Sequence, residues 1–197
     1  RSSDRAYLGS YLAWMKTAYA PMYDWLGVTN QQGVMIAVTE QSLAGQDYSQ
    51  SEWFRKAHET RRAVLGDVAS YESDQGVQSV AFTAPILDAE GTFLGVITAR
   101  VAVPVLEDVT TRTIRSLQHH EGFAGAVEYQ MLTKSGAVFV DSGSRFNETV
   151  NLLDMGLPSA KLSQSGDPGY VIEEHLRRHV QVVTGYAVTK GHGEFPG

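Results

Sequence analysis

Seven side chains concentrate the recognition chemistry of this 197-residue sequence: Tyr48, Trp53, Phe54, Tyr71, Ser73, Asp74 and Arg100. The four aromatic residues can build the wall of a pocket, and the serine, the carboxylate and the guanidinium supply a few polar contacts. That mixture is the usual makeup of a small-ligand site. Arg100 carries the sharpest chemical implication. Strand alternation over 92–103 puts it with Val96 and Thr98, on the face opposite Phe93 and Ile97. If that face looks inward, a cation sits inside an apolar module, which is costly unless it is paired. A guanidinium can grip a carboxylate or phosphate bidentately. One reading is therefore a small anionic ligand held by Arg100. The other is an internal salt bridge to Asp74, Glu72 or Asp67, or a solvated strand edge. Trp53 divides in the same way between ligand contact and plain core packing. Pro85 and Gly91 read as architectural.

Other chemistry finds less support. His175 and His179 are four apart, a metal-binding spacing on a helix, but they fall in a predicted strand and turn. His119 and His120 are adjacent and diverge. Glu173 and Glu174 occupy neighbouring strand positions and face opposite ways, so they build no acid/base pair. The sequence contains no Gly-x-Ser-x-Gly elbow and no phosphate-binding Gly-x-x-x-x-Gly-Lys loop. Asn147-Glu148-Thr149 matches a glycosylation sequon, a pattern short enough to arise by chance. No metal, cofactor or catalytic residue is expected, and a hydrolytic enzyme is the weakest of the function classes.

The elements that must position these residues read as α+β. Leu8, Leu12, Met15, Tyr19 and Met22 recur at steps of three and four, which predicts an amphipathic helix over 4–24. It can pack on a sheet and also offer a dimer seam. Strands are expected at 26–29 and 34–39, joined by Asn30-Gln31-Gln32-Gly33. After a polar loop over 40–50, Ser49 or Ser51 caps a helix running to about Arg62. Three strands follow, at 64–71, 78–87 and 92–103, with turns at 73–76 and 88–91. They complete a five-stranded antiparallel sheet with a helix inserted after its second strand. Pro104 opens a helix to about His120. A second, smaller copy of the plan then offers strands at 127–133, 137–141, 169–176 and 178–189, and ends in a loop-like tail.

The bulk numbers bound the function. A formal charge of −6 argues against a nucleic-acid surface. Apolar residues at 43% and charged residues at 19% fit a globular chain. The absence of cysteine excludes disulfides and thiolate chemistry, and suits the cytosol or a bacterial extracytoplasmic domain equally. No apolar run approaches the roughly 18 residues of a membrane helix. The chain starts at Arg1-Ser2-Ser3-Asp4 without an initiator Met or signal peptide, as a piece of a longer protein would. That leaves room for membrane anchors outside it.

With these features in hand, the chain resembles the double Cache domain of bacterial transmembrane sensors, an extracytoplasmic relative of the PAS fold. The resemblance rests on Asp47-Tyr48-Ser49, Trp53-Phe54, Thr83-Ala84-Pro85-Ile86 followed by Asp88 and Gly91, and Gly95-Val96-Ile97. Met131-Leu132-Thr133-Lys134-Ser135-Gly136 and Val138-Phe139-Val140-Asp141-Ser142 echo it in the second half. It implies an N-terminal helix over 1–25 and a membrane-distal PAS-like module with the ligand pocket over 26–104. A connecting helix over 105–124 and a smaller membrane-proximal module over 125–197, cut short at its last strand, would follow. It also implies a periplasmic domain of an inner-membrane receptor, passing ligand occupancy to a kinase, cyclase or chemotaxis output, and a homodimer. The partner implied is a small molecule, a carboxylate or other anion. The competing class is a structural or dimerisation module with a vestigial pocket that senses through a partner protein.

An amino-acid-binding subgroup of that family uses a Tyr, an Arg two residues before a Trp-aromatic pair, a Tyr with an Asp two residues on, and an Asp on the final strand. Tyr48, Trp53, Phe54 and Tyr71 match that pattern. Ser51 stands at the Arg position, Ser73 at the first Asp position beside Asp74, and Arg100 at the final Asp position. Both clamps are altered, which argues against amino-acid binding in that manner.

Overall fold

Long β-strands with alternating apolar positions pair with their sequence neighbours first, and the two longest do so here. The computed structural model describes residues 2–70, 78–120, 127–143, 150–176, 178–191, 193 and 195. The chain divides into two compact units, Arg1–Ala124 with Gly193–Pro196, and Gly125–His192 with Gly197.

The first unit opens with helix α1 (Ser2–Ala18). Strands β1 (Trp25–Asn30) and β2 (Met35–Val38) form a hairpin, and helix α2 (Glu52–Thr60) follows after a short 3-10 turn. Strands β3 (Val64–Leu65), β4 (Ala69–Ser70), β5 (Gln78–Leu87) and β6 (Phe93–Ala102) complete the sheet, and helix α3 (Val103–His120) leaves it. The strand order is β2-β1-β6-β5-β3, with β4 also on β5, and every pairing is antiparallel. This is the α+β, PAS-like plan expected: an antiparallel sheet with helices against it.

One difference is that the strand expected over 64–71 is two short strands. Gly66 still donates its N–H to the Ala81 carbonyl at 2.8 Å, but Asp67 turns its carboxylate to the Val68 N–H and interrupts the ladder. The helix over 4–24 also stops earlier, at Ala18, and Tyr19 and Met22 lie exposed rather than on its packed stripe.

The two faces of the sheet have different tasks. Leu26, Val28, Ala37 and Ala99 pack with Leu12, Leu8 and Met15 of α1. The opposite face carries Trp25, Met35 and Val38 at one end, and Phe93 and Val96 under Trp53, Phe54 and Ala57 of α2 at the other. Burying each such large side chain contributes about 1.5–3 kcal/mol.

Two β-bulges assign residues to the α2 face against simple alternation. In β6, Gly95 pairs with Ile86 and Phe93 with Leu87, so Leu94 is an extra residue and Phe93 crosses to the side of Val96. The expectation that Phe93 shares a face with Ile97 is corrected by this bulge. In β2, Ile36 is the extra residue, which separates Met35 from Ala37.

The second unit holds strands β7 (Gln130–Leu132) and β8 (Val138–Asp141), helix α4 (Pro158–Ser163), and strands β9 (Gly169–Glu174) and β10 (Gln181–Tyr186). Its four strands form two separate two-stranded sheets among the described residues, rather than one four-stranded copy of the first sheet. Near the C-terminus, Phe195 belongs to the first unit and sets its ring 5.5 Å from Phe82, so that part of the tail is packed rather than loop-like.

Candidate functional site

The α2 face of the first sheet gathers buried polar groups where an apolar core would do for stability alone. Thr98 and Arg100 of β6 and Thr83 of β5 are all buried on it. Register fixes the arrangement. Arg100 lies across from Trp25 on one side and Ala81 on the other, and Thr98 lies across from Gly27 and Thr83. β6 is the central strand, so Arg100 is remote from any sheet edge.

Arg100 is 1% exposed. This excludes the solvated strand edge as its environment. Its Nη1 donates to Thr98 Oγ1 at 2.7 Å and to the Ala99 carbonyl at 3.3 Å. Thr98 Oγ1 in turn shares a hydrogen bond of 3.0 Å with Thr83 Oγ1. The guanidinium carbon stands 4.7 Å from the Trp25 ring centroid and 5.5 Å from that of Trp53. Arg100 thus contacts one indole carried by the sheet and one carried by α2. Cation–π attraction strengthens when water is excluded, which compensates part of the cost of burying the charge.

α2 brings the remaining aromatic residues to this face. Ser51 occupies its N-cap position, but the hydroxyl turns back to donate to the Tyr48 carbonyl at 2.7 Å instead of capping the helix. Trp53, Phe54 and Ala57 are the buried positions of α2, an i, i+1, i+4 set along one side. The Tyr48 and Trp53 rings are 5.4 Å apart, and Phe54 meets Phe93 edge-on at 6.0 Å. Tyr48 is half-buried, and its hydroxyl donates to Gln46 Oε1 at 3.1 Å. At the far end of α2, Arg61 adopts the left-handed conformation with φ 55° and lays its guanidinium over Phe93.

The loop before α2 is held against β2 by its backbone. Tyr48 N–H donates to the Gly33 carbonyl at 2.9 Å. Gly33 has φ +86°, and a Cβ there would stand 2.6 Å from the Ser49 nitrogen, so only glycine lets the two segments meet. Asp47 Oδ1 accepts the Ser49 N–H at 2.8 Å, and that backbone bond is the main cause holding the Asp47 carboxyl below its ordinary pKa.

Of the residues singled out from the sequence, the structure brings Tyr48, Trp53, Phe54 and Arg100 to one face. Tyr71, Ser73 and Asp74 lie outside the described residues, as does Glu72. Asp67 hydrogen-bonds the neighbouring Val68 N–H. Trp25 is absent from the residues singled out by sequence, because the predicted strand starts at Leu26, one residue after the indole that lies across from Arg100. Thr98 is placed by sequence on the face of Arg100, and Thr83 in the family motif, but neither is given a role at the site. Their signal was available: two hydroxyls on the inward parity of the two longest strands.

No helix of the described residues is long and apolar enough to cross a membrane, and no cluster of three or more metal-ligating side chains occurs among them.

No curated protein sequence matches the chain. Solved structures share its fold at low identity. An extracellular ligand binding receptor from Desulfohalobium retbaense superposes with a TM-score of 0.67 at 19% identity, over 93% of this chain and 31% of that one. The chain therefore spans about a third of that receptor's length. The sensor domain of the V. cholerae histidine kinase DctB gives 0.54 at 13% identity, over 98% of this chain and 71% of that one. A domain of a sensory box/GGDEF family protein from Vibrio parahaemolyticus gives 0.57 at 13% identity, over 87% and 69%. The family model of the methyl-accepting chemotaxis protein-like first PDC sensor domain matches residues 3–108, just over half the chain and the whole sheet described above. The chain belongs to that family of sensor domains, of the PDC or Cache type.

Proposed function

We propose that this chain is the ligand-sensing part of a bacterial transmembrane receptor, whose first unit binds a small anionic molecule at the α2 face of its sheet. Tyr48, Trp53, Phe54 and Arg100 are the residues singled out for contact, joined by Trp25 and Thr98. In this reading residues 26–104 are the sensing module, 125–197 a second module, and anchors outside the chain hold a periplasmic homodimer to the membrane.

The observation that carries the proposal is the buried guanidinium among aromatic rings. A guanidinium on the α2 face, flanked by two indoles, is a group that a carboxylate or phosphate guest can pair with bidentately. A planar carboxylate suits the guanidinium fork. Binding then shifts the population between two states of the face, and it does so only to the extent that the ligand prefers one of them.

Thermal unfolding against acetate, lactate, succinate, citrate and inorganic phosphate tests this. A compound at about 100 times its dissociation constant stabilises the domain by roughly 2.7 kcal/mol. The expected result is a saturable rise for at least one carboxylate, lost in Arg100→Ala. A flat panel, or the same rise in the variant, contradicts anion binding at this position.

A further inference from the structure

The arrangement around Arg100 has the form of a cation site that already holds its guest. Trp25 presents its ring to the guanidinium at 4.7 Å and Trp53 at 5.5 Å. Thr98 supplies a hydroxyl acceptor at 2.7 Å and Ala99 a carbonyl at 3.3 Å. Tyr48 closes on Trp53 from the loop side. Aromatic rings with one or two oxygen acceptors are the chemistry that recognises guanidinium and alkylammonium ions. The two indoles come from different elements, Trp25 from β1 and Trp53 from α2.

We propose that Arg100 is the tethered occupant of a guanidinium-binding aromatic box, an autoinhibitory contact that fastens α2 to the sheet until a ligand displaces the side chain. The displacement rests on the reading that ligand binds at this face; the box itself does not. The clasp makes the unliganded state a defined one. A ligand that pairs with the guanidinium must draw it from the indoles, which loosens α2 from β1. Differential contacts of this kind are what a two-state sensor needs. The same clasp excludes cationic ligands from the box in the native chain, because the site is full.

Removing the tether should leave a vacancy that a free guanidinium fills. Methylguanidinium is titrated into the unmutated protein and into Arg100→Ala, with thermal unfolding and tryptophan emission as readouts. The expected result is a saturable rise in Tm for the variant, about 3 °C or more at ten times the dissociation constant, with a parallel change in emission. The unmutated protein shows neither. Arg100→Ser provides a second variant, which also lacks the guanidinium but puts a polar side chain at this position. If either variant folds only when methylguanidinium is present, that rescue also supports the box. A folded variant that responds as the unmutated protein does, or variants that stay unfolded in methylguanidinium, overturn the proposal. A negative rescue would leave any carboxylate response of the unmutated protein standing, so the box and the anion site fail separately.

Discussion

Arg100 is anchored in part through a hydroxyl of its own strand. Thr98 Oγ1 takes the 2.7 Å bond from Nη1 and also contacts Thr83 Oγ1. Thr98→Val removes both at a buried position and should cost about 1–3 kcal/mol in urea denaturation. Thr83→Val leaves the Arg100 bond in place and should cost clearly less; equal costs would contradict the hierarchy. Asp47 offers a titration at the same scale. Its pKa is lowered by the Ser49 N–H bond, so its contribution to the loop is complete above the ordinary aspartate pKa and is lost as pH falls through the lowered value. An NMR titration should place its midpoint below that of an ordinary aspartate, with the Ser49 amide moving in step. A midpoint at or above the ordinary value would contradict this. At this scale the sequence placed Trp53 and Phe54 on a helix by residue type and Arg100 on the face of Thr98 by strand parity. It concealed Trp25, whose role depends on cross-strand register that no local pattern specifies.

Among the elements, β5 and β6 were legible from alternation and from the Asp88–Gly91 turn. The bulges were not, because a one-residue insertion leaves the hydrophobic pattern on either side intact. Gly95 was the visible trace of the bulge in β6. A Cβ at Gly95 would stand 2.0 Å from the Thr29 carbonyl oxygen, an atom of the neighbouring backbone. Gly95→Ala should therefore separate β1 from β6 and destabilise by about 3 kcal/mol, the upper end for overpacking. At Gly27 the added methyl meets the flexible Met35 Sδ at 2.7 Å, and Gly27→Ala should cost less. Denaturant midpoints of the two variants check the order, and the reverse order would contradict the rigid role given to the bulge.

Across the whole molecule, the chain divides into two compact units, the second over Gly125–His192 with Gly197. The way the second unit is built was not legible in the sequence. Its four strands among the described residues stay in two pairs, and a buried side chain joins β9 to α4. Glu173 is 7% exposed and accepts the Ser159 N–H at the start of α4 at 2.8 Å, while its neighbour Glu174 faces outward. Alternation foretold that divergence but not the partner, which lies 14 positions away. Glu173→Ala removes a helix-terminal acceptor and should cost about 1–2 kcal/mol, read as faster amide exchange in β9 and α4. Unchanged exchange would remove Glu173 from the packing account.

The three tryptophans give the most direct test of the ligand face. Trp25 and Trp53 flank Arg100, while Trp14 lies exposed on α1. Their indole N–H resonances can be followed while the carboxylate that most raises Tm is titrated in. The account predicts that the Trp25 and Trp53 signals move together and saturate, while that of Trp14 stays in place. Stabilisation with both buried indoles unmoved, or with Trp14 alone responding, would contradict a ligand site on the α2 face.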